Sequence, residues 1–246
     1  AQGSFDGKLV YRDGKATIDP LALSYIGGRF DARLTAEPGG EASPITAKGT
    51  IEKLELARLI AELGGQPMIR APLGATFDLS ANGPDLEALK RSLDGSVGLT
   101  VGSGTVGTRL IDLTGENIVS WLFSSGSSTQ LVCVDGQITF EKGLGTVQRL
   151  ILETDSVQLR GSGTIDLPRN RLDLTFTPRP LREQLLQVVT PFRVRGPIDA
   201  PDVRVAGGTS RLAGRAVAET LTLPLNVLRA LLDRGGSNRV PCAPSP

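Results

Sequence analysis

The sequence contains no histidine. That absence removes the commonest general base and the commonest metal ligand, together with every Ser-His-Asp or Cys-His arrangement. A zinc site would have to be assembled from carboxylates and two distant cysteines, a poor donor set. No metal, no cofactor and no enzymatic activity are therefore expected. Aromatic residues make up only 4% of the chain, and 27 basic side chains face 26 acidic ones. Neither a base-stacking platform nor a global positive field is available for nucleic acid. No run of about 18 apolar residues reads as a membrane-spanning helix, and no signal peptide is recognisable. Opening at Ala1 and running straight into strand, the chain is expected to be a mature or excised piece of a longer protein. Any membrane anchor would lie upstream.

Cysteine is scarce too: only Cys133 and Cys242, with no CxxC motif. Two readings stand. One is a structural disulfide in an oxidising compartment, closing a loop of roughly 100 residues and worth about 4–5 kcal/mol on chain-entropy grounds. The other is a pair of unrelated thiols, one buried and one in a tail.

What is present is short-range alternation. The 30 glycines and 16 prolines are spread as turn punctuation. Between them, apolar residues recur at every second position, the signal of a half-buried strand. Phe30, Ala32 and Leu34 point one way while Arg29, Asp31 and Arg33 point the other. Leu73, Ala75, Phe77 and Leu79 repeat the pattern, as do Val97, Leu99 and Val101. Val134, Ile138 and Phe140 oppose Asp135, Gln137, Thr139 and Glu141. Val157, Leu159 and Ile165 oppose Gln158, Arg160, Thr164 and Asp166; Leu172, Leu174 and Phe176 close the series. Each strand has one apolar and one polar face, which predicts a long antiparallel meander that either folds over on itself as a sandwich or curls into a groove with its apolar lining available; periodicity does not choose between them. Arg12-Asp13-Gly14-Lys15, Asp135-Gly136 and Pro168-Arg169-Asn170 read as hairpin turns.

Helical spacing is limited. Leu56, Leu59, Ile60 and Leu63 precede Gly64-Gly65, and Pro84 opens a run with Leu86, Leu89 and Leu93. Further helices are expected over Leu110–Leu122, from Pro180 to Val189, and from Ser210 to Arg234 with a break at Pro224. The last carries Leu221, Leu225, Leu228 and Leu232 and reads equally as a cap over the sheet or as an amphipathic membrane contact. A weak echo links two stretches, Thr46–Ile51 and Leu79–Pro84, each a strand leading into a helix.

Three features bear on chemistry. Gly102-Ser103-Gly104-Thr105-Val106-Gly107 matches GxGxxG, but a dinucleotide site needs a parallel βαβ unit and an acid about 20 residues later; a glycine-rich turn is the reading taken. Asp166, Asp173 and Glu141 fall on polar strand faces, where a solvated surface is expected rather than an acid pair. Arginines thicken toward the C-terminus (Arg179, Arg182, Arg193, Arg195, Arg204, Arg211, Arg215) and read either as a phosphate-binding rim or as ordinary surface.

Leu93 to Val205 resembles the C-terminal region of the AsmA family. The resemblance rests on Leu93-Asp94-Gly95-Ser96-Val97, on Gly102 to Val106, and on Cys133 with its following strand. It continues through Leu159-Arg160-Gly161-Ser162-Gly163-Thr164-Ile165-Asp166-Leu167 and Arg171-Leu172-Asp173-Leu174 to Val194-Arg195-Gly196-Pro197-Ile198-Asp199-Ala200-Pro201. Residues before 67 resemble the strand-rich middle of such proteins more loosely, and the late Cys242 fits a cysteine that many members carry near their end.

The resemblance implies a periplasmic protein held in the inner membrane by an N-terminal helix that this chain lacks, and a bridge-like carrier of phospholipid toward the outer membrane. It implies a mainly β fold: a long curled antiparallel sheet forming an apolar groove, with a few short helices and a C-terminal capping helix. The expected organisation is 1–66 a strand-rich groove segment, 67–208 the AsmA-like C-terminal groove, and 209–246 helix and tail. Lipid would be lined by Phe30, Leu34, Phe77, Leu79, Val97, Leu99, Val134, Ile138, Phe140, Leu159, Ile165, Leu172, Leu174 and Phe176. Phospholipid and membrane are the expected partners, the latter through 210–234, with an envelope protein as a further one. The alternative is a non-enzymatic assembly factor acting through the sheet edge or the C-terminal helix.

Overall fold

A computed structural model describes residues 3–39, 43–62, 64, 69–107, 128–155, 157–181, 191–205 and 242. Alternation dictates what they form. The strands are β1 (Ser4–Arg12), β2 (Lys15–Tyr25), β3 (Gly28–Ala36), β4 (Pro44–Glu55), β5 (Ile69–Arg70), β6 (Pro72–Asn82), β7 (Asp94–Val101) and β8 (Gly104–Gly107). They continue as β9 (Ser128–Glu141), β10 (Leu144–Thr154), β11 (Val157–Asp166), β12 (Arg171–Pro180), β13 (Phe192–Pro197) and β14 (Asp202–Val205). All pair antiparallel in one open sheet of order β1-β2-β3-β4-β6-β7-β9-β10-β11-β12-β13-β14. The chain clusters into two compact units, 1–206 with 242–246, and 207–241; the second lies outside the described residues.

Tight turns set the register. Asp13-Gly14, Ile26-Gly27 and Lys142-Gly143 each place two successive residues at positive φ (50° and 77°, 50° and 73°, 49° and 77°). That is the geometry of two-residue hairpins whose twist matches the sheet. The last two pairs lack the Asn or Asp that flags such turns, so the sequence signal was weak there. Asp135-Gly136, expected as a turn, instead lies inside β9, where Asp135 pairs with Thr100 and Ile151. Its carboxylate is nearly buried and ion-pairs with Arg149. A paired, buried Asp stays in a strand where a solvated one would turn.

β5 and β8 continue β6 and β7 past a kink, pairing Ile69 with Val106 and Arg70 with Thr105. The GxGxxG stretch forms that kink and the strand after it. The Gly102 amide donates to the Pro72 carbonyl at 2.9 Å. Its neighbours are antiparallel strands, so the nucleotide reading has no βαβ unit to stand on.

Two helices appear among the described residues. α1 (Leu56–Glu62) follows β4 directly and ends before Gly64, whose φ is 81°. α2 (Leu86–Ser92) is capped by Asp85, whose carboxylate accepts from the Ala88 amide at 2.8 Å. Pro84 therefore precedes the cap instead of opening the helix. Strand-into-helix holds at both echo positions. Pro180 closes β12, paired with Val157, so no helix starts there. The helices expected over 110–122, 182–189 and 210–234 lie outside the described residues. β4 pairs with β6 across position 66, so the sheet passes that expected boundary unbroken.

Cys133 and Cys242 are disulfide-bonded with Cα atoms 6.2 Å apart, a crosslink spanning 109 positions. Cys133 lies in β9 opposite Glu153 of β10, on the polar side. That side is otherwise laced by exposed ion pairs such as Lys48–Asp78 (2.8 Å) and Arg195–Asp173 (2.5 Å). Arg195 and Arg204 are both engaged by carboxylates, Asp173 and Asp202, which argues against a free phosphate rim there.

Two measurements test this account. Replacing both cysteines with serine should lower the unfolding free energy by about 2–4 kcal/mol, the usual range for a long crosslink, in denaturant titrations compared with oxidised wild type, and reduced wild type should match the variant. Hydrogen bonds from Arg29, Arg169 and Arg195 hold Asp31, Asp166 and Asp173 below the ordinary carboxylate value of 3.8. A depressed carboxylate stabilises the fold above that value and loses its contribution as pH falls through the folded one. Stability should thus decline below pH 3.8, and Asp173→Asn should flatten the decline while costing under about 1 kcal/mol at neutral pH, since the pair is exposed.

Candidate functional site

In a pleated sheet, directly paired residues share a face. Following the register from strand to strand exposes one continuous row: Gly7, Leu21, Ala32, Gly49, Phe77, Val97, Ile138, Val147, Gly163, Leu174, Val194 and Val203. It crosses every strand of the main path without one polar side chain. Two positions along, a second row runs through Leu9, Ile18, Leu34, Ala47, Leu79, Gly95, Phe140, Gly145, Ile165, Leu172 and Gly196. A third, toward the other strand ends, holds Phe5, Leu23, Phe30, Ile51, Ala75, Leu99, Gly136 and Leu150. Leu150 packs on Gly161, which pairs with Phe176 and, through it, Phe192. A fourth row reads Leu54, Leu73, Val101, Val134, Leu152 and Leu159.

The opposite face is polar in the same orderly way: Arg33, Lys48, Asp78, Ser96, Thr139, Thr146, Thr164, Asp173, Arg195 and Asp202 form one row. From β3 to β14 this row carries charged and hydroxyl side chains, opposite the hydrocarbon rows.

All the lining residues expected from sequence fall on the apolar face. Phe30, Leu99 and Phe176 lie in the third row, and Phe77, Val97, Ile138 and Leu174 in the first. Leu34, Leu79, Phe140, Ile165 and Leu172 are in the second, Val134 and Leu159 in the fourth. All but Phe140 and Leu159 are only half-buried. Leu21, Ile51, Val147 and Leu150 belong with them but escaped sequence reading. Bulges explain why. Register slips at Ile18/Leu21, Ile51/Leu54 and Val147/Arg149 add a residue and reverse the alternation midway. Pro20 marks the first slip, a place where a missing amide hydrogen is tolerated; Lys53, at a φ of 54°, marks the second.

Burial is graded along the strands. The fourth row and its surroundings are sealed in two clusters, Val101, Val106 and Leu131, and Val157, Leu159 and Phe192, with Leu152 packed against both. The remaining rows are more open, and at β1 Phe5, Leu9 and Tyr11 are 68%, 67% and 64% exposed. Two aromatic stacks lie on this face: Phe30 with Phe77 (5.8 Å) and Phe176 with Phe192 (5.1 Å).

Among the described residues, no group of three or more Cys, Asp or Glu side chains is placed to hold a metal ion. Besides Asp135, the polar face is buried beside Cys133, where Gln158 donates to Glu153 at 2.7 Å. A depression of about 480 Å³ lies on that face over Gly74 and Gly98, edged by Thr50, Thr76, Thr100 and Gln137.

No protein-family model matches the chain. No solved structure matches it either. Among curated proteins it is similar to the AsmA family protein YhjG of Escherichia coli (strain K12), at 22% identity over 232 residues. This similarity supports AsmA-family membership. The aligned region is 92% of this chain and 34% of YhjG, so the chain spans about a third of that relative's length.

The openness of the apolar rows has a measurable consequence. Phe77→Ala, on a half-buried ring, should cost about 1–2 kcal/mol on area grounds. Phe192→Ala, in the sealed cluster, should cost about 3–5 kcal/mol. Equal losses in denaturant titrations would mean that both positions are core and the face is closed.

Proposed function

We propose that this AsmA-family chain is a lipid-transfer module of the bacterial envelope, in which the apolar face is the lining of a groove for phospholipid tails. The observation that carries the reading is the row from Gly7 to Val203, uninterrupted by polarity across the open sheet. A closed core needs a second layer to bury such a face, and large exposed apolar surface usually marks a binding site.

The energetics agree. A buried methylene gains about 0.8 kcal/mol, so sheltering a 16-carbon tail is worth on the order of 10 kcal/mol. Contacts of this kind have no preferred direction, so a tail can shift along the rows without breaking hydrogen bonds. With strands about 4.8 Å apart, the ladder offers a path about 50 Å long. On this reading, the chain carries phospholipid between inner and outer membrane in the periplasm. The Cys133–Cys242 disulfide supports an oxidising compartment. No described helix is long and apolar enough to cross a membrane. Nothing in the chemistry of the face calls for catalysis, and the module is proposed to act without it.

A second reading has its own observation. β1 is a nine-residue edge strand, with Phe5, Leu9 and Tyr11 exposed and no proline blocking it. It suits pairing with a strand of an envelope partner, as in an assembly factor.

Native mass spectrometry with lipid extraction, on protein purified from bacterial envelopes, separates the two. Phospholipid should accompany the wild type and be lost in Leu174→Asp, which should remain folded because Leu174 is half-buried. A lipid-free wild type with an intact sheet would favour the edge-pairing reading. Unfolding of the variant would mark the face as core.

A further inference from the structure

Seven glycines interrupt the apolar rows across β4 to β13, and they are not equivalent. A Cβ at Gly49 would run into the Asp31 carbonyl; at Gly95 and Gly163, both at positive φ (127° and 141°), it would strike the backbone of the neighbouring strand. Those positions serve the backbone. Gly145 and Gly161 differ. A Cβ at Gly145 would meet only side chains: the Phe140 ring at 2.7 Å and Ile138 at 3.1 Å. At Gly161 it would meet Leu150 at 2.6 Å and the Phe176 ring at 3.0 Å. Neither glycine has positive φ. In both pairs the phenylalanine is the direct cross-strand partner of the glycine. Each ring therefore lies across its neighbour's backbone in the space a side chain would fill, as aromatic residues do when they cover a cross-strand glycine.

We propose that Gly145 and Gly161 are clearance residues: by leaving room for Phe140 and Phe176 to lie flat, they set the depth available to an acyl chain on the apolar face. This rests on the lipid-carrier reading and sharpens it. With the rings down, the lining is low and smooth in the stretch β9 to β12. A methyl group at either glycine leaves the backbone untouched but lifts a ring or Leu150 into the path. Ordinary sheet logic predicts the reverse, since glycine weakens a strand and alanine should be tolerated or stabilising. Clearance explains why glycine occupies both positions despite that cost.

Gly98 supplies the control. It lies in β7 on the polar face, paired with Thr76 and Gln137, and a Cβ there would meet the Thr76 hydroxyl at 2.6 Å, a comparable crowding away from the apolar rows. The experiment uses the purified chain with its disulfide intact. It measures uptake of a fluorescent-tailed phosphatidylethanolamine from phosphatidylethanolamine–phosphatidylglycerol vesicles, with far-ultraviolet circular dichroism and thermal melting run alongside. Wild type and Gly98→Ala should take up the probe equally. Gly145→Ala and Gly161→Ala should lose most of the uptake while melting no earlier than wild type. Adding Phe140→Leu to Gly145→Ala should restore uptake, because the shorter side chain no longer needs the vacated space. Undiminished uptake in both glycine variants would overturn the proposal, and so would loss without rescue by Phe140→Leu, which would trace the effect to the sheet and not the ring. A wild type that takes up no probe would overturn the carrier reading itself, and this proposal with it.

Discussion

Lateral register is the constraint on which everything else depends. Side chains alternate with a period of two, so a slip of one residue in any strand would carry its apolar set to the polar side. Here the register is held through the whole path, and the result is a single hydrocarbon surface backed by a single charged one. Two-residue turns at Asp13-Gly14, Ile26-Gly27 and Lys142-Gly143 fix it locally. Ladder hydrogen bonds propagate it. Each bulge shifts the apolar set by one position and would break the surface if the partner strand did not absorb the extra residue. That compensation occurs at Ile18/Leu21, at Ile51/Leu54 and at Val147/Arg149.

The two faces do different kinds of work. Ion pairs on the polar side, such as Arg195–Asp173, are exposed and individually weak. They keep that face charged and solvated. The apolar side is sealed chiefly around the fourth row, in two clusters bridged by Leu152, one with Val101 and Leu131 and one with Leu159; Phe140 and Val147 are buried besides. Stability is thereby concentrated at one end of the strands, leaving the remaining rows half-open. A protein that sheltered hydrocarbon guests would need this division, since a face fully buried by its own chain has no capacity left.

Much of this was legible beforehand. Every lining residue selected by alternation, from Phe30 to Phe176, lies on the apolar face. The glycine-rich GxGxxG stretch was read as a turn, and it is a strand kink. The misses have physical causes. Leu21, Ile51, Val147 and Leu150 lie next to bulges that invert the alternation, and a sequence window cannot locate a bulge that only the partner strand defines. Asp135-Gly136 carried a turn signal that burial and the Arg149 ion pair override. Pro180 read as a helix start but ends a strand, because its cross-strand partner Val157 fixes it there.

The sequence by itself determined the class of the fold and the sidedness of each strand, because both follow from a local period that neighbouring residues already display. It also restricted the chemistry, since a chain with no histidine cannot assemble the usual catalytic or metal-binding sets. Only the tertiary structure decided that the strands join in one open sheet, that their apolar sides align into unbroken rows, and which glycines make room for rings and which serve the backbone. Those outcomes depend on contacts between residues far apart in the chain. The space above Gly161 is filled by Leu150 and Phe176, and no pattern within a single strand records it.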